Sequence, residues 1–208
     1  MAEAYQVVRD ATESLQSLLL GATAAGGVLQ GVFVEAAVPY EGYTPAHTPA
    51  LTLFLYQVLE NTTVRNRDRT RMPDPNAAAD DPARFIESEP PMGLELHYLL
   101  IPWHATPLDE HELLGRAMHY LYGNRVVHAV NLAGYLREQE ATLAIQLQTE
   151  ADCTLDQLSR LWDAMGRSFK LSLSYRVRGV YMESPEVMGA GRVLDRVIGY
   201  RQESGGAP

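Results

Sequence analysis

His97, His104, Glu110, His111, Glu112 and His119 fall close together in the chain. Imidazoles and carboxylates are the groups that ligate zinc and activate water. His111, Glu112 and His119 would be the centre of a small metal-dependent hydrolase. The spacing argues against it. His111 and His119 sit eight residues apart on one predicted helix, which sets their side chains ~80° apart around its axis. Helical zinc pairs need a four-residue interval to converge on one ion, as in H-E-x-x-H. His97 falls in a predicted strand and His104 in a loop. Solvated or hydrogen-bonded histidines are therefore expected, with no metal and no cofactor.

Other catalytic constellations are missing as well. There is no Gly-x-Ser-x-Gly elbow, no Walker loop and no dinucleotide fingerprint. GATAAGG at 21–27 lacks the Lys-Ser/Thr that would make it a phosphate cradle and reads as a turn. Cys153 precedes a helix start, a place where thiols gain reactivity, but no histidine partner is recognisable and an inert thiol is expected. As the single cysteine, it excludes an internal disulfide and a cysteine-based zinc site. Asn61-Thr62-Thr63 matches a glycosylation sequon, yet the N-terminus, with Glu3 and Arg9 ahead of any apolar run, does not read as a signal peptide. A cytoplasmic protein without enzymatic activity is the expectation.

One polar cluster resists dismissal. LFLYQVLENTTVRNRDR, residues 53–69, begins as an apolar strand and ends with Asn61, Arg65, Asn66, Arg67 and Arg69, followed by Arg71 and Arg84. A solvated loop, a protein–protein contact and a nucleic-acid clamp all fit these residue types. The chain of 208 residues carries 17 Lys plus Arg against 26 Asp plus Glu, a formal charge of −9. General affinity for a polyanion needs a concentrated basic surface, so nucleic acid is disfavoured. The uncharged run Ser14–Val34 contains four glycines and reads as a helix end, a turn and a strand rather than a membrane span.

The elements that position these residues follow from periodicity. Residues 3–20 read as a helix with Val8, Leu15, Leu18 and Leu19 on one side, followed by strands at 31–39 and 50–61. In the second of these, Leu53, Leu55 and Gln57 are expected to face opposite to Phe54, Tyr56 and Val58. Residues 70–92 hold five prolines and read as a long loop insertion. GLELHYLLI, 93–101, is a strand ended by Pro102. Residues 108–124 form a helix with Asp109 as N-cap, Glu112 completing the box, and Leu113, Leu114, Ala117, Met118 and Leu121 as its stripe. A strand at 141–148 precedes a helix at 154–166, capped by Thr154 and Gln157, with Leu155, Leu158, Leu161, Trp162 and Met165 facing inward. The strand 169–184 places Leu171, Leu173, Tyr175 and Val177 on one face. Lys170, Ser172, Ser174, Arg176 and Arg178 lie on the other, which must be wet or meet a polar partner. The expected architecture is one α+β domain over residues 1–200. It has a mixed, mainly antiparallel sheet of about five strands covered by about three helices, with 201–208 a disordered tail.

Several of these stretches occur together and in order: LFLYQVLENTTVRNR, GLELHYLLIPW, EHELLGRAMHYLYGN, LDQLSRLWDAMG and LSLSYRVRGVYMES. As a set the chain resembles the N-terminal domain of the cap, or tail-terminator, proteins of phage-tail-like contractile injection systems. It departs from that pattern at Gly179, where a β-branched residue is common. The resemblance implies a tail-terminator-like fold and a structural protein rather than an enzyme. It implies a hexameric ring that ends inner-tube polymerisation and anchors the last sheath layer, at the end distal to the baseplate. Its partners would be sheath and inner-tube subunits and further copies of itself, with no nucleic acid and no direct membrane span. A baseplate adaptor or tail-completion protein of the same particle is the alternative. The candidate interface residues are then Asn61, Arg65, Asn66, Arg67, Arg69, Arg71, Arg176 and Arg178.

Overall fold

The computed structural model describes residues 3–64, 70–73, 85–183 and 187–190. Their helices are α1 (Val7–Gly21), α2 (Pro107–Gly123), α3 (Gly134–Glu138) and α4 (Leu155–Ala164). Their strands are β1 (Phe33–Ala36), β2 (Ala50–Glu60), β3 (Thr70–Pro73), β4 (Phe85–Ser88), β5 (Met92–Trp103), β6 (Val126–Val127), β7 (Leu143–Leu147), β8 (Leu173–Met182) and β9 (Val187–Ala190). They fall into two compact units. The larger contains a six-stranded sheet of order β1-β2-β5-β8-β7-β6, antiparallel throughout except for β1 beside β2. The smaller is an antiparallel three-stranded sheet, β3-β4-β9. The stretch 70–92, read as a loop from its prolines, thus contributes two strands.

Alternation divides the six-stranded sheet into two faces. Leu51, Leu53, Leu94, Leu96, Tyr98, Leu100, Leu143, Ile145, Tyr175 and Val177 form a core with the apolar stripes of α1, α2 and α3. On the opposite face Leu99, Ile101 and Trp103 pack with Trp162 of α4. The six-stranded sheet and its helices match the expected α+β architecture with one more strand, the two-residue β6, and one more helix, the single turn of α3, while β3, β4 and β9 form a second sheet that was not expected.

Buried polar contacts fix α3 in place. The Asp10 carboxylate, on a residue only 4% exposed, accepts from the Tyr135 N–H at 2.8 Å, and Ser14 Oγ accepts from Ala133 N–H at 2.9 Å. Two donors that a helix start leaves free are therefore satisfied by α1. Gly134 permits this approach: its φ is +42°, and a Cβ there would meet the Asp10 carboxylate at 2.5 Å.

Several local expectations need correction. Thr106, not Asp109, is the N-cap of α2: its side chain accepts from the Asp109 N–H, and Pro107 takes the first turn, where no donor is needed. Pro102 does not end β5. It pairs opposite Leu51, beyond the last β8 pairing at Leu100, so its missing N–H falls where the strand has become an edge. Leu55 pairs with Tyr98 and Gln57 with His97 across a bulge at Tyr56, which carries Gln57 to the face opposite Leu55. In α4 only Trp162 is fully buried, and Leu155 is 65% exposed. Gly179, the departure from the family pattern, has φ +88°, and a Cβ there would lie 2.1 Å from the Thr142 carbonyl oxygen. No β-branched residue fits.

Candidate protein–protein interface

Beyond the reach of α4 the second sheet face turns polar, because β8 presents Ser174, Arg176 and Arg178 in alternation. Arg176 lies opposite His97 on β5 and opposite Gln146 on β7. Its guanidinium reaches Glu95 at 3.9 Å, Asp152 at 3.5 Å and Gln146 at 3.1 Å. Arg178 donates to the same Glu95 at 2.9 Å. Glu95 is 14% exposed and Arg176 15%, whereas Arg178 remains 43% exposed. One carboxylate therefore orients two arginines, and the outer one keeps donors free for solvent or a partner.

Next to the arginines is a network of uncharged groups. Gln148 Oε1 accepts from the Tyr56 hydroxyl at 2.9 Å and from the Ser174 hydroxyl. Its Nε2 donates to His97 Nδ1 at 2.8 Å, which assigns the imidazole proton to Nε2. Among the described residues, His97 Nε2 and Arg176 Nε are buried without a hydrogen-bond partner. Burial holds the His97 pKa below its ordinary value, against the raising effect of the Glu95 charge. Burial likewise raises Tyr56 to about 12. Hydrogen bonds from the Thr149 N–H and hydroxyl, then the nearby arginines, lower Asp152. A groove of 370 Å³, lined by Tyr56, Gln57, Asp152, Cys153, Leu158 and Leu161 among others, opens beside this network.

Asn61 leaves β2 at the same end of the sheet, where β2 runs beside Leu94 and Glu95. Its N–H donates to the Gly93 carbonyl at 2.8 Å and its side chain accepts from Thr63 N–H at 3.1 Å, a local turn that starts the short helix Thr62–Val64. Gly93 makes room for it, since a Cβ there would meet Val64 at 2.2 Å. Arg65, Asn66, Arg67 and Arg69 lie outside the described residues. Arg71 is in β3, with its backbone opposite Glu87. Among the candidates, Arg176 and Arg178 are brought onto one surface. Glu95, Gln146, Gln148 and Asp152, which organise that surface, were missed from sequence. Their one legible signal was the charged alternation of β8, which calls for acceptors opposite it.

The histidines do not converge. His97 is buried in β5, His104 Nδ1 lies 3.2 Å from Asp109 ahead of α2, and His111 and His119 are exposed on α2. Among the described residues no three His, Cys, Asp or Glu side chains could hold a metal ion. No described helix is long and apolar enough to cross a membrane.

Comparison with known proteins follows the fold. The family model for the Pvc16 N-terminal domain matches residues 10–196. No curated protein matches by sequence. Among solved structures, the fold is similar to the sheath/tube terminator of the extracellular contractile injection system PVC in its extended state. There the TM-score is 0.64 at 16% identity, over 97% of this chain and 65% of that one. It is also similar to the tube-terminating cap of the anti-feeding prophage, with a TM-score of 0.58 at 14% identity, over 93% of this chain and 61% of that one. The chain thus spans less than two thirds of the length of either.

Proposed function

We propose, from the premise that the chain belongs to the Pvc16 N-terminal domain family, that it is a structural cap of a contractile injection particle. In this reading copies form a hexameric ring at the end distal to the baseplate, assembled in the cytoplasm. The ring stops inner-tube polymerisation and anchors the last sheath layer, and it catalyses no reaction. The match over residues 10–196 carries the proposal, because it takes in every element of the six-stranded sheet. The physics of termination is consistent with it. A growing tube or sheath end exposes groups that recruit further protomers, and a closed ring that satisfies them without presenting an equivalent surface ends the process. Arg176 and Arg178, fixed by Glu95 on a half-open polar face, are the groups assigned to contacts with sheath or tube subunits.

Removing the protein from a particle-producing strain tests this reading. Particles of uncontrolled length, or tubes without an anchored sheath, are expected. Normal-length, fully sheathed particles would overturn it. Labelled protein should mark the end away from the baseplate, and label at the baseplate would favour an adaptor instead.

A further inference from the structure

A second surface lies on the first sheet face, where the main core opens between the C-terminal end of α2 and β7. A groove of 310 Å³ is lined there by Met118, Tyr122, Ile145, Leu147 and Tyr175, with Arg125 the charged residue on its wall. Tyr122 is 71% exposed, and Met118 and Leu147 are more than a third exposed. Arg125 stacks over the Tyr122 ring at 4.8 Å. Among the described Lys and Arg side chains it is the one that makes no hydrogen bond or ion pair; the others each hold a carboxylate or a carbonyl. An unpaired guanidinium at the mouth of an apolar groove suits an occupant with a large aliphatic side chain next to a carboxylate.

The chain presents such a pair at the opposite end of the same helix. Of the described large apolar residues, Val130 and Leu108 are the most exposed, at 81% and 78%. Val130 has no acid beside it, whereas Leu108 is followed by Asp109. The Asp109 carboxylate contacts Thr106 and His104 but no Lys or Arg among the described residues. The 17 residues of α2 hold the two features about 25 Å apart, so they cannot meet within one copy.

We propose that the α2–β7 groove is the socket for Leu108 and Asp109 of a second copy of this chain. Leu108 enters between Met118, Tyr122 and Leu147, and Asp109 pairs with Arg125. Because knob and socket are different patches, the contact is head-to-tail, the kind that closes into a ring when the rotation allows. The inference rests on the ring reading above and supplies its copy-to-copy contact, on a different sheet face from Arg176 and Arg178.

Sedimentation velocity on the full 208-residue chain tests it, with Arg125→Glu, Asp109→Arg and Leu108→Ser as variants and circular dichroism to confirm folding. Wild type should associate, and each variant should weaken association by at least about tenfold. Leu108→Ser alters a side chain that is 78% exposed, so an unchanged circular dichroism spectrum and thermal midpoint are expected alongside its loss of association. Mixing Arg125→Glu with Asp109→Arg should restore association, since an alternating arrangement then pairs every groove with a complementary knob. Singles that associate like wild type, or a mixture that does not recover, would overturn the socket while leaving the ring reading standing. A wild type that stays monomeric at every concentration reached would overturn both.

Discussion

Replacing Glu95 with alanine should cost more stability than any other single change on the polar face. Glu95 is 14% exposed and is shared by Arg176, itself 15% exposed, and Arg178. Removing one member of a fully buried ion pair costs ~3–5 kcal/mol because the other charge is left without compensation. That figure is an upper bound here, since Arg176 would keep Asp152 at 3.5 Å and Gln146 at 3.1 Å. A loss of about 2 kcal/mol is expected; with a urea slope of ~2 kcal/mol/M, the midpoint falls by about 1 M. Arg178→Ala leaves Glu95 still paired with Arg176 at 3.9 Å and removes only a half-exposed partner, so about 0.5 kcal/mol, or roughly a quarter of a molar, is expected. Urea titration of wild type and both variants at pH 7 makes the comparison. If Glu95→Ala moves the midpoint no further than Arg178→Ala, Glu95 is an ordinary surface acid. The idea that it holds two arginines in place for a partner then fails.

Gly179→Ala should destabilise the protein by at least about 2 kcal/mol, since the left-handed backbone and a carbonyl oxygen that cannot retreat both oppose it; an unchanged urea midpoint would contradict the close approach to Thr142. Asp10→Ala, which strands the Tyr135 N–H, should cost about 1–3 kcal/mol, and Asp10→Asn less because an acceptor remains; equal losses would show that the contact does not hold α3. For His97 the sign follows from its depressed folded-state pKa: the unfolded chain takes up the proton first as pH falls below the ordinary 6.5, so stability drops from pH 7 downward. His97→Gln should flatten that slope between pH 7 and 5, and parallel slopes in the two proteins would refute the assignment.

Periodicity exposed most of the larger unit because its strands are long and its helices amphipathic. The alternation of Leu173, Tyr175 and Val177 against Ser174, Arg176 and Arg178 gave β8 and both its faces. Thr154 and Gln157 marked the start of α4, and the capping box is present. Features that depend on a neighbour in space were not legible. The bulge at Tyr56 is a register event between two strands, and nothing local to LFLYQVLEN reports it. β3 and β4 are four residues each within a proline-rich stretch, too short for a period to emerge. The apolar residues of α4 suggested a wider buried stripe than the single helix can cover, leaving Leu155 in solvent. On the candidate interface the arginines of β8 were legible, but the acceptors that organise them come from β5, β7 and the turn at Asp152. Only pairing brings those together.

The two candidate contact surfaces differ in a way that bears on termination. Arg176 sits among Glu95, Asp152 and Gln146 and Arg178 donates to Glu95, so a partner meeting that face encounters side chains whose rotamers are already restrained. Binding then loses little side-chain entropy. Arg125 is fixed on one side only, by its stacking on Tyr122, and still lacks an anion. If the first surface engages the filament and the second engages the next copy, each ring member uses both patches once. Edge protection fits the same logic. At the β1 end of the sheet, the outward carbonyl of Val34 is occupied by Gln16 Nε2 at 3.0 Å, which removes an acceptor that an incoming strand would need.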